Sequence, residues 1–219
     1  MRKFKSPVIL SLFLGFLCHA EESNLEQESF AKRPQIVPQI SILTPQEIVL
    51  KNNTFEIPYS QNVPGLFGIS VGASSPLSVG DSFQFYLTGR LGFSHKDGEY
   101  TINRIEANQT EKSNVSLAWM PVSVGVKSQY AINQFPYVRP MLGAGLGAQW
   151  MYQSSTLGGL NQHFLIPLYY VTTGLSFFDK KTPEDWFGGF SFGVSYQDSF
   201  ASPQKVRVTS VDLSLNIIL

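Results

Sequence analysis

Residues 142–152 read Leu-Gly-Ala-Gly-Leu-Gly-Ala-Gln-Trp-Met-Tyr, with Leu142, Ala144, Leu146, Ala148, Trp150 and Tyr152 on one parity and Gly143, Gly145, Gly147, Gln149 and Met151 on the other. A repeat of two puts these sets on opposite faces of a β-strand, because successive side chains of an extended chain alternate. The pattern recurs. Phe190, Phe192, Val194 and Tyr196 alternate with Ser191, Gly193, Ser195 and Gln197, and Val211, Leu213, Leu215, Ile217 and Leu219 alternate with polar residues such as Asp212 and Ser214. Phe83, Phe85, Leu87, Gly89, Leu91 and Phe93 do so with Gln84, Tyr86, Thr88, Arg90, Gly92 and Ser94. Shorter or noisier copies lie at 66–73, 113–130 and 165–178.

Which face points outward decides the class. A soluble barrel keeps its apolar face inside and covers the outside with charged residues. Here 64–76, 165–178 and 186–197 contain no charged residue, while charges collect in connections such as His95-Lys96-Asp97-Gly98-Glu99 and Asp179-Lys180-Lys181. The apolar face is therefore expected to meet lipid, where a Lys or Arg near the midplane costs roughly 2–4 kcal/mol. Lipid offers no partner to an open sheet edge, so the sheet must close. The small polar face then fills a narrow interior.

Composition agrees. Only 15% of the 219 residues are charged, and 13% are aromatic, against about 25% charged in ordinary soluble domains. Ordinary cytosolic enzymes and disordered chains are disfavoured. Arg2, Lys3 and Lys5 precede the apolar run 7–17, and Cys18-His19-Ala20 supplies a cleavage site, so residues 1–20 read as a signal peptide. Its removal leaves 13 basic against 16 acidic residues and no cysteine. That excludes disulfides and thiolate chemistry, and nucleic acid is not an expected partner of so acidic a chain. Beyond the signal no apolar stretch reaches the length of a membrane helix.

Counting back from the C-terminus gives strands at about 204–219, 186–198, 163–179, 136–152, 113–130, 82–105 and 64–75. Single-chain bacterial barrels usually have an even strand number, so an eighth is expected within 36–58. The domain division is a signal at 1–20, an extended arm at 21–61 holding that first strand, and a barrel at 62–219. Short connections at 131–136 and 179–185 are expected at the periplasmic end, with longer loops near 106–112 and 153–162 outside. Trp119, Trp150, Tyr152, Tyr169, Phe177, Trp186 and Phe187 are the candidate aromatic girdles. Apolar residues are odd before Pro121 (Val115, Leu117, Trp119) and even after it (Val122, Val124, Val126), which predicts a β-bulge there. Near Pro167 both faces are apolar, as an apolar pocket or a self-packed loop base would be.

The ending Val211-Asp212-Leu213-Ser214-Leu215-Asn216-Ile217-Ile218-Leu219 resembles the C-terminal sorting signal of outer-membrane proteins. The stretch Tyr137-Val138-Arg139-Pro140-Met141-Leu142-Gly143-Ala144-Gly145-Leu146-Gly147 resembles a strand of small eight-stranded OmpA/OmpX-like barrels. Leu219 stands where that family usually has Phe. The resemblance, over residues 62–219, implies an up-and-down antiparallel transmembrane β-barrel in the cell outer membrane, monomeric and without a reaction of its own. Its implied partners are outer-membrane lipid and the barrel-assembly machinery, reached through the last strand.

Candidate chemistry is sparse. Gly143 to Gly147 does not turn into a helix as a dinucleotide loop must. Asn52, Asn108 and Asn114 open glycosylation-like triplets and read as loop chemistry. Ser94, His95 and Glu99 supply the residue types of a lipid-active barrel hydrolase, and His163 is the other histidine of the mature chain; a solvated rim accounts for them as well. No cofactor, metal or catalytic residue is expected. Arg90 and Asp212, at matching depths on inward faces, are expected to pair across the lumen. The leading reading is a non-enzymatic barrel for envelope integrity, surface contact or very narrow passage; a lipid-active enzyme and a periplasmic lipocalin-like module are the alternatives.

Overall fold

The computed structural model describes residues 33–51, 55–58, 66–80, 82–132, 135, 137–155, 161–178, 187–200 and 203–219. The expected signal peptide, the arm before Arg33 and Trp186 lie outside them. The strands are β1 (Gln35–Lys51), β2 (Phe55–Pro58), β3 (Leu66–Val79), β4 (Phe83–Arg104), β5 (Gln109–Tyr130), β6 (Val138–Ser155), β7 (Gln162–Phe177), β8 (Phe187–Ser199) and β9 (Lys205–Ile218). Every neighbouring pair is antiparallel, in the order β1-β3-β4-β5-β6-β7-β8-β9, and β1 pairs again with β9, so eight strands form a closed ring. The fold is the expected up-and-down barrel.

The eighth strand is β1, inside the segment expected as an arm, so the barrel wall begins at Gln35 rather than near residue 62. Its alternation is hard to read because the register against β9 shifts between Pro45 and Glu47, an irregularity that turns Ile48 and Leu50 inward after Ser41 and Leu43. The short β2 runs in the same direction as β3, pairs with β1 and β4, and bridges them beyond the point where β3 starts.

Gln35 and Ile218 mark one end of the barrel, here the near end; the other is the far end. Connections at the two ends are of similar length, 80–82, 131–137 and 178–186 at the near end against 52–54, 105–108, 156–161 and 200–204 at the far end. Loop length therefore does not separate the ends. The expected loose loop at 106–112 is instead a four-residue turn at 105–108, where Asn108 sits at φ 48°, a left-handed conformation that Asn tolerates. Residues 109–112 are already strand.

The wall has two zones. In the near half the outward residues are Ile40, Ile42, Ile69, Val71, Leu91, Val124, Phe190, Phe192, Val194 and Leu213 with their neighbours, all exposed. No charged residue occupies an outward position of this belt among the described residues. Ser191, Ser195 and Asn216 are buried inside, as the strand parity predicts. Such a belt suits hydrocarbon better than water. In the far half the arrangement is inverted. Leu43, Ile48, Leu50, Tyr100, Ile102, Leu117, Trp119, Met151, Ile166 and Val208 pack within the ring as one buried cluster, while Glu47, Lys51, Asp97, Glu99 and Lys112 hold the outside. Each fully buried large side chain of that cluster contributes about 1.5–3 kcal/mol.

The inversion corrects two expectations. No residue is inserted at Pro121: Leu91 pairs with Val122 and Ser94 with Trp119 in one register, and β5–β6 runs unbroken from Val115 to Gln129. Odd residues of β5 face inward throughout. What changes at Pro121 is whether the inside or the outside is dry. Trp119 accordingly belongs to the interior cluster at 1% exposure, not to a girdle. At Pro167 the same crossover makes both faces apolar, with Phe164, Ile166 and Leu168 buried inside and Leu165, Tyr169 and Val171 exposed on the belt.

Candidate functional site

The near half encloses a lumen whose side chains come from alternate residues of all eight ring strands. Its middle is shaped by glycine. Gly125 on β5, Gly145 on β6 and Tyr170 on β7 are successive cross-strand neighbours. A Cβ at Gly145 would lie 2.3 Å from the Val124 carbonyl oxygen and 2.6 Å from the Tyr170 ring, and one at Gly125 would lie 2.4 Å from the Tyr170 hydroxyl. With both positions bare, the Tyr170 ring lies flat along the wall across two strands. Its hydroxyl comes within 3.4 Å of Thr88 Oγ1 on β4, whose own hydroxyl donates to the Gly125 carbonyl at 3.2 Å. The ring therefore narrows the lumen as an ordinary inward tyrosine would not.

Beside it lies a cavity of about 100 Å³, lined by Arg90, Lys127, Tyr170, Asp212 and small hydroxyl residues including Ser74, Thr88, Ser191 and Ser195. Arg90 and Asp212 thus face the same space, as the parity argument expected, but they do not touch. The Arg90 guanidinium lies over the Tyr170 ring at 5.7 Å. Asp212 Oδ2 instead accepts the Ser195 hydroxyl, which reaches Thr172 Oγ1 as well. Asp212 Oδ1 is buried with no protein partner. Lys127, which sequence reading missed, places its ammonium over the Tyr86 ring at 5.2 Å.

Toward the near end the lumen is filled by hydrogen-bonded side chains. Asn216 donates to Ser191 at 3.1 Å, Ser191 pairs with Ser176 at 2.9 Å, and Gln129 donates to Ser176 at 3.0 Å. Across from this chain, Gln84 accepts from the Tyr86 hydroxyl and from Arg139, whose guanidinium lies 4.8 Å from the Phe178 ring. Toward the far end the dry cluster closes the ring, and Gln149, fully buried, meets it with both polar atoms of its amide unpartnered.

The candidate catalytic residues are not brought together. Ser94 is buried on the inner face, whereas His95, its neighbour in a strand, points outward and meets Asp97 Oδ2 at 3.2 Å. The Asp97 carboxyl is held below its ordinary range, first by a hydrogen bond from Ser116 and then by His95. Glu99 lies 4.0 Å from Lys112. His163 is also outward, its ring stacked against Trp150 at 5.3 Å and Tyr152 at 4.7 Å. These three rings, with Tyr169, Tyr196 and Phe200 further round, form an aromatic border between belt and far half. Beyond it the exterior is knit by ion pairs: Arg207 bridges Asp198 and Glu47, and Lys205 reaches Glu47. Among the described residues no group of three or more His, Cys, Asp or Glu could hold a metal ion.

No family model matches the chain, and no curated protein matches it. Solved structures similar to it include Ail, the attachment invasion locus protein of Yersinia pestis, at 14% identity over 84% of this chain and 98% of that one, with a TM-score of 0.45. Neisserial surface protein A is 14% identical over 85% and 97%, with a TM-score of 0.48. The outer membrane protein OprG of Pseudomonas aeruginosa is 9% identical over 85% and 93%, with a TM-score of 0.47.

Proposed function

We propose that this chain is a non-enzymatic barrel of the bacterial outer membrane that anchors a rigid, closed half-barrel at the cell surface and is not a pore. The observation that supports it is the inversion at Pro121: hydrocarbon-facing residues girdle the near half, and a water-excluding core fills the ring beyond it. A lumen that ends against such a core has no continuous path for solute. The ion-paired exterior of the far half is what a surface standing clear of the membrane needs. The near end, carrying both chain ends of the described barrel, would then face the periplasm, and β9 would present itself to the barrel-assembly machinery. The alternative of a periplasmic lipocalin-like module demands a charged exterior along the whole wall, against the apolar belt. A lipid-active enzyme would need Ser94 and His95 on one face.

Three measurements test this reading. Fractionation with heat-modifiable gel migration is expected to find the protein in the outer membrane, resistant to SDS until boiled. Cysteines introduced at Asn114 and Asp97 are expected to react with an impermeant thiol reagent on whole cells, and purified protein in planar bilayers to show no steady porin-sized conductance. Labelling only after the outer membrane is permeabilised would reverse the orientation, and stable large conductance would sink the sealed-lumen reading.

A further inference from the structure

The lumen carries more positive charge than it neutralises. Its inward-facing charged residues among those described are Arg90, Lys127 and Arg139 against the single carboxylate of Asp212. Arg139 has its hydrogen-bond partner in Gln84. Arg90 and Lys127 have none: among the described residues neither makes an ion pair or a hydrogen bond, and each only overlies a tyrosine ring. Both line the same cavity of about 100 Å³, well above the roughly 30 Å³ that one water takes in the liquid. Ser74, on the wall of that cavity, keeps a buried hydroxyl with no partner among the described residues.

An unmatched cation inside a protein is costly unless an opposite charge and hydrogen-bond acceptors reach it. A guanidinium offers five N–H donors and an ammonium three, and both side chains line a space whose wall also carries the hydroxyls of Ser74, Thr88, Ser191 and Ser195. Asp212 cannot serve both cations, because one of its oxygens is taken by Ser195 and neither cation contacts it.

We propose that the lumen holds a small inorganic anion, bound between Arg90 and Lys127. Asp212, on the opposite wall of the cavity, repels this anion and keeps it exchangeable. The proposal concerns the inside of the barrel and does not depend on which membrane or which side the far half faces. The chemistry is that of an oxyanion or a halide, and the cavity excludes large carboxylates such as gluconate.

The test is the heat-unfolding midpoint of the purified protein in detergent, at constant ionic strength, in sodium gluconate, chloride, bromide or phosphate. A ligand at a hundredfold its Kd is expected to raise the midpoint by roughly 5–10 °C over gluconate, and the larger response identifies halide or phosphate. Arg90→Met and Lys127→Met should each remove the response, and Asp212→Asn should enlarge it. Because a lumen substitution can impair folding, bromide-soaked crystals of the unaltered protein give an independent reading: an anomalous peak is expected beside Arg90 and Lys127. Equal midpoints in all four salts with no bromide peak would overturn the proposal. A response reduced in Asp212→Asn would also overturn it, because a carboxylate that only repels the anion cannot be needed to bind it.

Discussion

From β4 to β7 the near and far halves of the wall are built from the same strands with one inward parity, yet they bury opposite kinds of residue. In β5, Leu117 and Trp119 are dry inside the ring while Val122 and Val124, a few residues on, are exposed outside it. The backbone is indifferent to the exchange. The hydrophobic effect acts only on which side water can reach, so a strand passing from hydrocarbon to water changes its apolar face without changing its geometry. The near half keeps polar groups inside because they can pair there, as Asn216, Ser191, Ser176 and Gln129 do.

Substitutions that carry one half's logic into the other measure how sharp that boundary is. The largest effect is expected for Trp119→Ala, which empties the far-end core; truncating a buried Trp typically costs about 3–5 kcal/mol. Urea unfolding in detergent or lipid measures it, and a loss below about 1 kcal/mol would mean that this cluster is not a packed core. Next comes Val124→Arg on the belt, expected to cost about 2–4 kcal/mol when the bilayer midplane lies there. The paired control is Asn114→Arg, an outward position of the same strand in the far half, expected to stay within about 0.5 kcal/mol. If the two arginines are tolerated equally, the boundary at Pro121 is misplaced.

Gly145→Ala should cost about 1–3 kcal/mol, since its methyl group meets the Val124 carbonyl and the Tyr170 ring and overpacking of this kind falls in that range. A neutral result would show that Tyr170 does not lie on the wall. The smallest effect concerns the exterior. The carboxyl of Asp97 is held low by Ser116 and His95, so its contribution is complete above the ordinary Asp pKa of about 3.9 and fades as pH falls through the lowered value. Asp97→Asn should therefore show a small deficit that closes as pH falls well below about 4. A deficit that persists there would contradict the assigned hydrogen bonds.

The period of two was legible along most of the wall, and so were the closed barrel and the outward-facing Phe190, Phe192 and Val194. Parity tells which residues share a face but not which face is dry, and this is why the change of apolar parity at Pro121 reads as an inserted residue when none is present. The first strand was legible only as a range, because the register shift at Pro45 breaks the alternation and β2 follows at once. At the lumen, the inward directions of Arg90 and Asp212 followed from parity. Their lack of contact did not, since it depends on the Tyr170 ring and on Ser195 taking the carboxylate. A signal did exist: glycines at inward positions of neighbouring strands, Gly125 and Gly145, leave room for a ring laid flat against the wall.

The pairing of β1 with β9 joins residues 35–49 to residues 205–218, and that pairing sets the order of events in biogenesis. Until β9 has been made, β1 has no second neighbour, and two sheet edges stay unpaired. Contacts so distant in sequence form late, and open edges invite pairing with other chains. Folding is therefore expected to be post-translational and all-or-none at the seam, and a chain shortened by only its final strand should remain an open, association-prone sheet instead of a smaller barrel.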